Sequence, residues 1–287
     1  MNREPTEYEA VEISETENAA IRFLYKTIPG RILLKLLIRT TVSKIAGSVL
    51  RNPASCVFIE KFIAENNIDM EVFRDAKYRS FDDFFTREIR EGQRPFPESE
   101  TGLAAPCDGK LTVYPINTET YFSIKKSKYS IEDLLQDQKL SDEFSGGICM
   151  IFRLTPDDYH RYCFIDDGKI LNQKRIKGVL HTVQPIACRT INVFCRNSRE
   201  YTVIQSKNFG KMIQMEVGAL FVGRISNHSK SRTIKRAEEK GMFQFGGSTI
   251  ILLFQKDTVI IDDKIYENTN KNKETIIKMG NKIGAKL

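Results

Sequence analysis

The chain has no tryptophan, only three histidines among its 287 residues, and no apolar run long enough to cross a bilayer as a helix. A protein that spans the membrane on helices is therefore excluded. Cysteine occurs six times, at 56, 107, 149, 163, 188 and 195, and never as a CxxC pair. That excludes a zinc ribbon and a thioredoxin-like redox site, which need that spacing. The thiols read as scattered and reduced, as in a cytosolic protein. The first twenty residues are acidic and lack the apolar core of a secretory signal, which keeps the chain on the cytoplasmic side. The scarcity of histidine also narrows the chemistry. A base working near neutral pH has only His160, His181 or His228 to draw on.

What is abundant is positive charge: 44 Lys+Arg stand against 37 Asp+Glu, for a net charge of +7. Such an excess suits an anionic partner, either nucleic acid or an anionic membrane surface. Its placement favours the membrane. Between Arg31 and Arg51 lie Lys35, Arg39 and Lys44, with no acid. Arg31, Lys35 and Arg39 recur every four residues, while Leu34, Leu37, Ile38, Val42, Ile45 and Val49 follow helical spacing on the other face. A basic amphipathic helix of this kind lies in a membrane interface or packs its apolar face on the protein's own core; both readings stand. No nucleic-acid recognition motif accompanies the charge, so a nucleic-acid partner is not expected.

The pattern along the chain predicts an α+β fold. Residues 1–20 read as a polar arm, and 21–97 as a helical membrane-associating region. Residues 55–75 continue helically, and a further helix is capped by Ser80, carries Asp82 and Asp83 in its first turn, and is closed by Pro95 and Pro97. Residues 98–287 read as a β-rich domain. Strands are expected at ICMIFRL, INVFC, YTVIQ, KMIQMEV, ALFVGRI and STIILLF, the last buried on both faces. The polar stretch YENTNKNKETIIKMGNK reads as a surface turn or short helix.

Taken singly, the reactive residues are ambiguous. His160 sits in LTPDDYHRYC, His181 in KGVLHTVQP, and His228 in a polar loop that reads as exposed. Ser248 follows Gly246 and Gly247 and opens the STIILLF run, which equally describes a glycine hairpin leading into a strand. Asp108 lies in PCDG, an ordinary turn signature.

The ordered combination is more specific. SFDDFFTREIREGQRPF, PCDGK, FRLTPDDYHRY, GVLHTVQP, NVFCRNSREY, MEVGALFVGRI and KGMFQFGGSTIILLF resemble, in that order, the landmarks of the phosphatidylserine decarboxylase family. The resemblance implies a zymogen that cleaves itself between Gly247 and Ser248. Ser248 attacks the Gly247 carbonyl, the ester eliminates, and Ser248 becomes a covalent pyruvoyl cofactor. The β chain, 1–247, and the α chain, 248–287, stay associated. The pyruvoyl group forms a Schiff base with phosphatidylserine, CO2 leaves, and phosphatidylethanolamine is released without any metal. The implied protein is a peripheral one on the cytoplasmic face of an anionic cell membrane, with room for a homodimer.

By the same resemblance Asp108 orients the processing base, and His160 matches the histidine of a DYHR segment. Many family members carry a second histidine three residues later as that base; here the position is Cys163. A neutral thiol is a poor base, so the role is expected to move to His181 as the partner of Asp108, leaving His160 as proton donor in decarboxylation. Two other readings compete. A serine hydrolase is disfavoured because Ser248 lacks the G-x-S-x-G elbow. A non-catalytic lipid binder is favoured only by Cys163.

Overall fold

The run STIILLF forms a strand, Ser248–Phe254, in which all seven residues are buried. A run this continuously apolar needs cover on both faces and a neighbour on each edge, and the fold supplies both. The protein, seen here as a computed structural model, is described over residues 8–13, 19–124, 127–220, 224–228, 231–246 and 248–287. Its main sheet contains β1 (Ala10–Glu12), β2 (Gly109–Pro115), β3 (Ile148–Leu154), β4 (Gly168–Ile176), β5 (Arg199–Ser206), β6 (Lys211–Gly218), β7 (Thr233–Ile234), β8 (Ser248–Phe254) and β9 (Lys273–Ile277). Their spatial order is β1-β9-β2-β3-β8-β6-β5-β4-β7, and every pairing is antiparallel. β8 is thus an inner strand, in register with β3 from Ser248–Leu154 to Phe254–Ile148 and with β6 from Ser248–Gly218 to Phe254–Met212.

The architecture is α+β, with the helices concentrated before residue 86. The expected single amphipathic helix is two, α2 (Ile28–Leu37) and α3 (Thr40–Leu50), preceded by α1 (Ala19–Lys26). Thr27 caps α2, accepting a hydrogen bond from Gly30 N, and Pro29 sits in its first turn, where a missing N–H costs nothing. Leu34 and Ile38 turn inward as the periodicity predicts, but Ile45 and Val49 are exposed, because Ser43 and Gly47 line the buried side of α3. Small residues let that helix approach its neighbours closely. The helical character expected over 55–75 is broken into a 3-10 turn, Pro53–Phe58, a helix, Ile59–Glu65, and another 3-10 turn, Met70–Val72. The Ser80 cap is present: its Oγ accepts from Asp83 N, and α4 (Phe81–Phe85) follows, far shorter than the distance to Pro95 allows.

Two strand expectations and one turn expectation need correction. INVFC forms a helical turn, Val193–Arg196, because a short apolar run suits a buried helix as well as a strand. In ALFVGRI the pairing of β6 ends at Gly218 and resumes only at Ile225–Asn227, against Glu239–Phe243; residues 221–223 lie outside the described part. The polar stretch near the end contains a helix, Asp263–Asn270, and then β9, a full member of the main sheet. Glu274 hid that strand, since a buried acid reads as a turn until its partner is known. Here Arg153 of β3 donates to Glu274 through Nε at 2.8 Å. In the N-terminal arm, Ala10–Glu12 pairs with β9, while residues 1–7 and 14–18 lie outside the described part.

Removing volume from the middle of β8 tests this core. Leu252 is fully buried between Met150 and Gln214 of the neighbouring strands. Leu252→Ala is expected to cost about 2–5 kcal/mol in urea unfolding, against no more than about 0.5 kcal/mol for Lys256→Ala on the surface.

Candidate active site

The register of the main sheet brings the chemistry-bearing segments to one end. Ser248 opens β8 opposite Leu154, the last residue of β3, and opposite Gly218, the last residue of β6. On the far side of β3, β2 begins at Gly109, immediately after Asp108. Gly109 has φ 149°, and a Cβ there would come within 3.1 Å of the Arg153 carbonyl oxygen, so only glycine allows the turn to lie this close to β3. Beyond Leu154 the chain turns through Thr155 to His160. Asp158 closes that turn by accepting from Thr155 N at 2.8 Å and from Thr155 Oγ1 at 2.9 Å.

His160 is fully buried. Its Nδ1 lies 2.8 Å from the Asp158 carbonyl oxygen, which can only accept, so Nδ1 carries the ring proton. Nε2 is left with a bare lone pair and makes no hydrogen bond among the described residues, and neither does the equally buried Ser248 Oγ. Burial pushes the His160 pKa down to about 3; the Asp158 bond opposes this, and the Arg87 charge reinforces it. The imidazole is therefore neutral at pH 7, with the Nε2 lone pair unoccupied. The Phe85 ring lies tilted 4.1 Å from the His160 ring and meets Phe245 edge-on at 5.0 Å; Phe245 stands three residues before Ser248. α4 thus wedges the histidine against the segment leading to the serine. Gly246, with φ 132°, takes a conformation that other residues resist, while Gly247 lies outside the described residues.

Asp108 is almost fully buried and fully engaged. Arg94 donates to it through Nε and Nη2 at 3.1 and 3.0 Å, Met279 N donates at 2.8 Å, and Lys278 Nζ lies 3.2 Å away. Burial alone would raise its pKa. The Arg94 hydrogen bonds and the Lys278 and Arg94 charges win, holding the carboxyl below the ordinary aspartate range. Asp108 is therefore a fixed negative charge, and that charge is felt at His160, where it favours protonation.

The expected pairing of Asp108 with His181 is not formed. His181 is buried in another corner, with Nδ1 3.1 Å from the Tyr25 hydroxyl, and its backbone N–H donates to Asn197 Oδ1 at 2.9 Å. The same Asn197 donates to the carbonyls of His181 and Gly218 at 2.8 and 2.7 Å. Since Gly218 is the β6 partner of Ser248, this amide ties the His181 loop to the head of β8. Burial lowers the His181 pKa to about 4, with Arg196 reinforcing it. His228 stays apart, exposed and 3.0 Å from Glu239. Cys163 donates its thiol to the Pro106 carbonyl at 3.4 Å, and burial raises its pKa far above neutrality, so it supplies no base.

Sequence reasoning missed Arg94, Asn197, Tyr25 and Arg87. Arg94 and Asn197 lie inside segments already singled out, REGQRPF and FCRNSRE, but a buried charge partner and a bracing amide have no spacing signature. Tyr25 carried a faint signal, as a polar-tipped aromatic within an otherwise apolar and basic helix. Arg87, 2% exposed, stacks over Phe73 at 4.2 Å with Nε and Nη1 unpartnered among the described residues.

The depressed His160 pKa makes a stability prediction. The unfolded chain protonates this histidine below about pH 6.5, whereas the folded protein does not until about pH 3. Between those values the unfolded state binds the extra proton, so folding stability falls as pH falls, by up to about 1.4 kcal/mol per pH unit. His160→Gln is expected to flatten the acid limb of a urea-stability profile between pH 6 and 4 by about that slope.

The chain was compared with known proteins. The family model described as phosphatidylserine decarboxylase matches residues 81–285. Among curated proteins, the phosphatidylserine decarboxylase proenzyme 2 of Clostridium acetobutylicum is 51% identical over 269 residues, covering 93% of this chain and 92% of its own. The phosphatidylserine decarboxylase proenzymes of Clostridium perfringens and Ruminiclostridium cellulolyticum are 39% and 38% identical, each covering 99% of this chain and 98% and 96% of their own. With the family model spanning most of the chain and relatives matching nearly end to end, the chain belongs to the phosphatidylserine decarboxylase family.

Proposed function

We propose that this chain is a phosphatidylserine decarboxylase proenzyme in which His160 is the base of self-processing and His181 the proton donor of decarboxylation. The roles are exchanged relative to the sequence expectation. The observation that carries the reading is the pair of buried, unpartnered atoms His160 Nε2 and Ser248 Oγ at the same end of the sheet. His160 takes the Ser248 hydroxyl proton as the oxygen attacks the Gly247 carbonyl, and Asp108 stabilises the imidazolium through its charge. Elimination across Ser248 frees the Gly247 carboxylate. Hydrolysis of the resulting enamine consumes one water, releases one ammonia, and leaves a ketone at residue 248.

The site suits the pyruvoyl group. No described residue uses the Ser248 hydroxyl as donor or acceptor, so its conversion to a ketone breaks no structural hydrogen bond. Once formed, that group serves as an electron sink for the electrons left by CO2. His181 supports the complementary step. Tyr25 OH already accepts from Thr182 N at 3.2 Å, so its single hydrogen is free to point at His181 Nδ1, which places the imidazole proton on Nε2. A buried neutral donor returns a proton to the substrate carbon that has lost CO2.

The helices support a membrane surface as the place of work. No described helix is long and apolar enough to cross a membrane. Yet Ile28, Ile32, Leu36, Ile45, Val49 and Val57 are all more than half exposed, clustered in the N-terminal helical region beside Arg31, Lys35, Arg39 and Lys44. An apolar patch rimmed by basic groups fits the interface of an anionic bilayer, where each cation near the surface contributes about 1 kcal/mol.

Denaturing intact-mass measurement tests the catalytic roles. Purified wild-type protein should give two fragments, 1–247 and 248–287, whose masses sum to the chain plus water less ammonia, the smaller reacting with hydroxylamine. Ser248→Ala and His160→Gln should each remain one chain, while His181→Asn should cleave normally and lose about 10²-fold or more in decarboxylation. Cleavage of His160→Gln at the wild-type rate would overturn the assignment of the base. For the membrane reading, Ile32→Asp with Leu36→Asp should abolish sedimentation with phosphatidylserine vesicles at low salt while leaving turnover of a short-chain soluble substrate intact.

A further inference from the structure

The loop that carries His181 is held from one side by the N-terminal helices. Tyr25, near the end of α1, is buried although α1 is a surface helix, and its hydroxyl meets both His181 Nδ1 at 3.1 Å and Thr182 N at 3.2 Å. One residue earlier, Leu180 N donates to the Ile38 carbonyl at 2.9 Å, just past the end of α2. Arg31 of α2 closes the unit by donating through Nε to the Tyr25 carbonyl at 3.1 Å. Three consecutive loop residues are thus bound to the helical pair that exposes Ile28 and Ile32 on its outer side.

We infer that Tyr25 is a positioning residue of the decarboxylation reaction, fixing the proton of His181 on Nε2 through the hydrogen bond it donates to Nδ1. This rests on the reading of His181 as the proton donor. A neutral imidazole in water exchanges its proton between the two nitrogens, and only one of them faces any given acceptor. The hydroxyl has one hydrogen. With one lone pair taken by Thr182 N–H, donation to Nδ1 satisfies all three groups at once, whereas the opposite tautomer sets the Nδ1 hydrogen on the oxygen and leaves the phenol hydrogen without a partner. Burial raises the Tyr25 pKa, so the phenol keeps that hydrogen at any working pH. His160 is arranged the other way: the Asp158 carbonyl draws its proton to Nδ1 and bares Nε2. The acid and the base are separated by the tautomers their neighbours impose.

The test compares Tyr25→Phe with His181→Asn on processed enzyme, using short-chain phosphatidylserine in detergent micelles so that membrane docking does not enter. Self-cleavage, checked by intact mass, should be complete in both variants. Tyr25→Phe is expected to lower kcat about tenfold with KM within twofold, and the double variant should be no slower than His181→Asn alone. Nitrogen-15 spectra of histidine-labelled protein supply a readout that a loss of packing would not move. In the wild type the His181 signal, identified by its disappearance in His181→Asn, should show an unprotonated Nδ1 and a protonated Nε2. In Tyr25→Phe it should shift toward a mixture. An unchanged tautomer or unchanged kcat in Tyr25→Phe, with His181→Asn still strongly impaired, would overturn the inference alone. Full activity in His181→Asn would instead remove the reading on which it rests.

Discussion

Everything at the site hangs on the burial of β8. Its five large side chains, Ile250 to Phe254, are wholly inaccessible, and each contributes roughly 1.5–3 kcal/mol by leaving water. Both edges of the strand are hydrogen-bonded, to β3 and to β6. Cutting the chain immediately before this strand removes one covalent link and none of those contacts, so the α chain keeps its place and its new terminus keeps its position. The same registers decide which residues meet there. The last residues of β3 and β6 flank Ser248, and the turns beyond them carry His160 and, through Asn197, the His181 loop. A shift of one residue would turn every β8 side chain to the opposite face and carry Ser248 away from both.

Within that frame, chemistry is assigned by hydrogen bonding rather than by residue type. Two histidines share a buried, neutral condition, one with a pKa pushed down to about 3 and the other to about 4. They differ in what faces Nδ1: a backbone carbonyl at His160 and a phenol at His181. The aspartate needs the opposite treatment. Left alone in the interior Asp108 would take a proton, and it stays ionised because a bidentate guanidinium and an ammonium surround it. A charge pinned by Arg94 acts on His160 through space, without the direct carboxylate–imidazole bond of serine-protease triads.

How much of this was legible follows from what kind of physics each feature uses. The apolar run of β8, the Ser80 cap and the change from helical to strand texture near residue 100 are local, and the sequence shows them. Asp108, His160, His181 and Ser248 were legible as residues of interest because they lie in ordered, distinctive segments. Their pairings were not, since the choice between Asp108–His181 and Tyr25–His181 depends on contacts spanning more than 70 residues in one case and 156 in the other. β9 was invisible for a related reason: Glu274 makes sense in a strand only once Arg153, two strands away on β3, is seen to reach it. INVFC failed because its apolar residues serve a helical turn that packs Val193 and Phe194 inward equally well.

Cys163 illustrates why motif departures are better judged by geometry than by resemblance. Taken as a missing histidine, it suggests a degenerate relative. In place, its thiol donates to the Pro106 carbonyl and so fastens the strand after His160 to the turn that presents Asp108. A small buried donor at this point holds two of the chemistry-bearing segments together without adding a second titrating ring between them. In the proposed mechanism the base is then a histidine whose lone pair is already bare, and the acid one braced by α1. Because α1 and α2 also carry the exposed apolar and basic groups, the elements suited to grip a lipid surface are those that aim His181. Displacing them would remove the hydrogen bonds that hold Leu180, His181 and Thr182, so on the proposed reading the same helices serve both the lipid surface and the placement of His181.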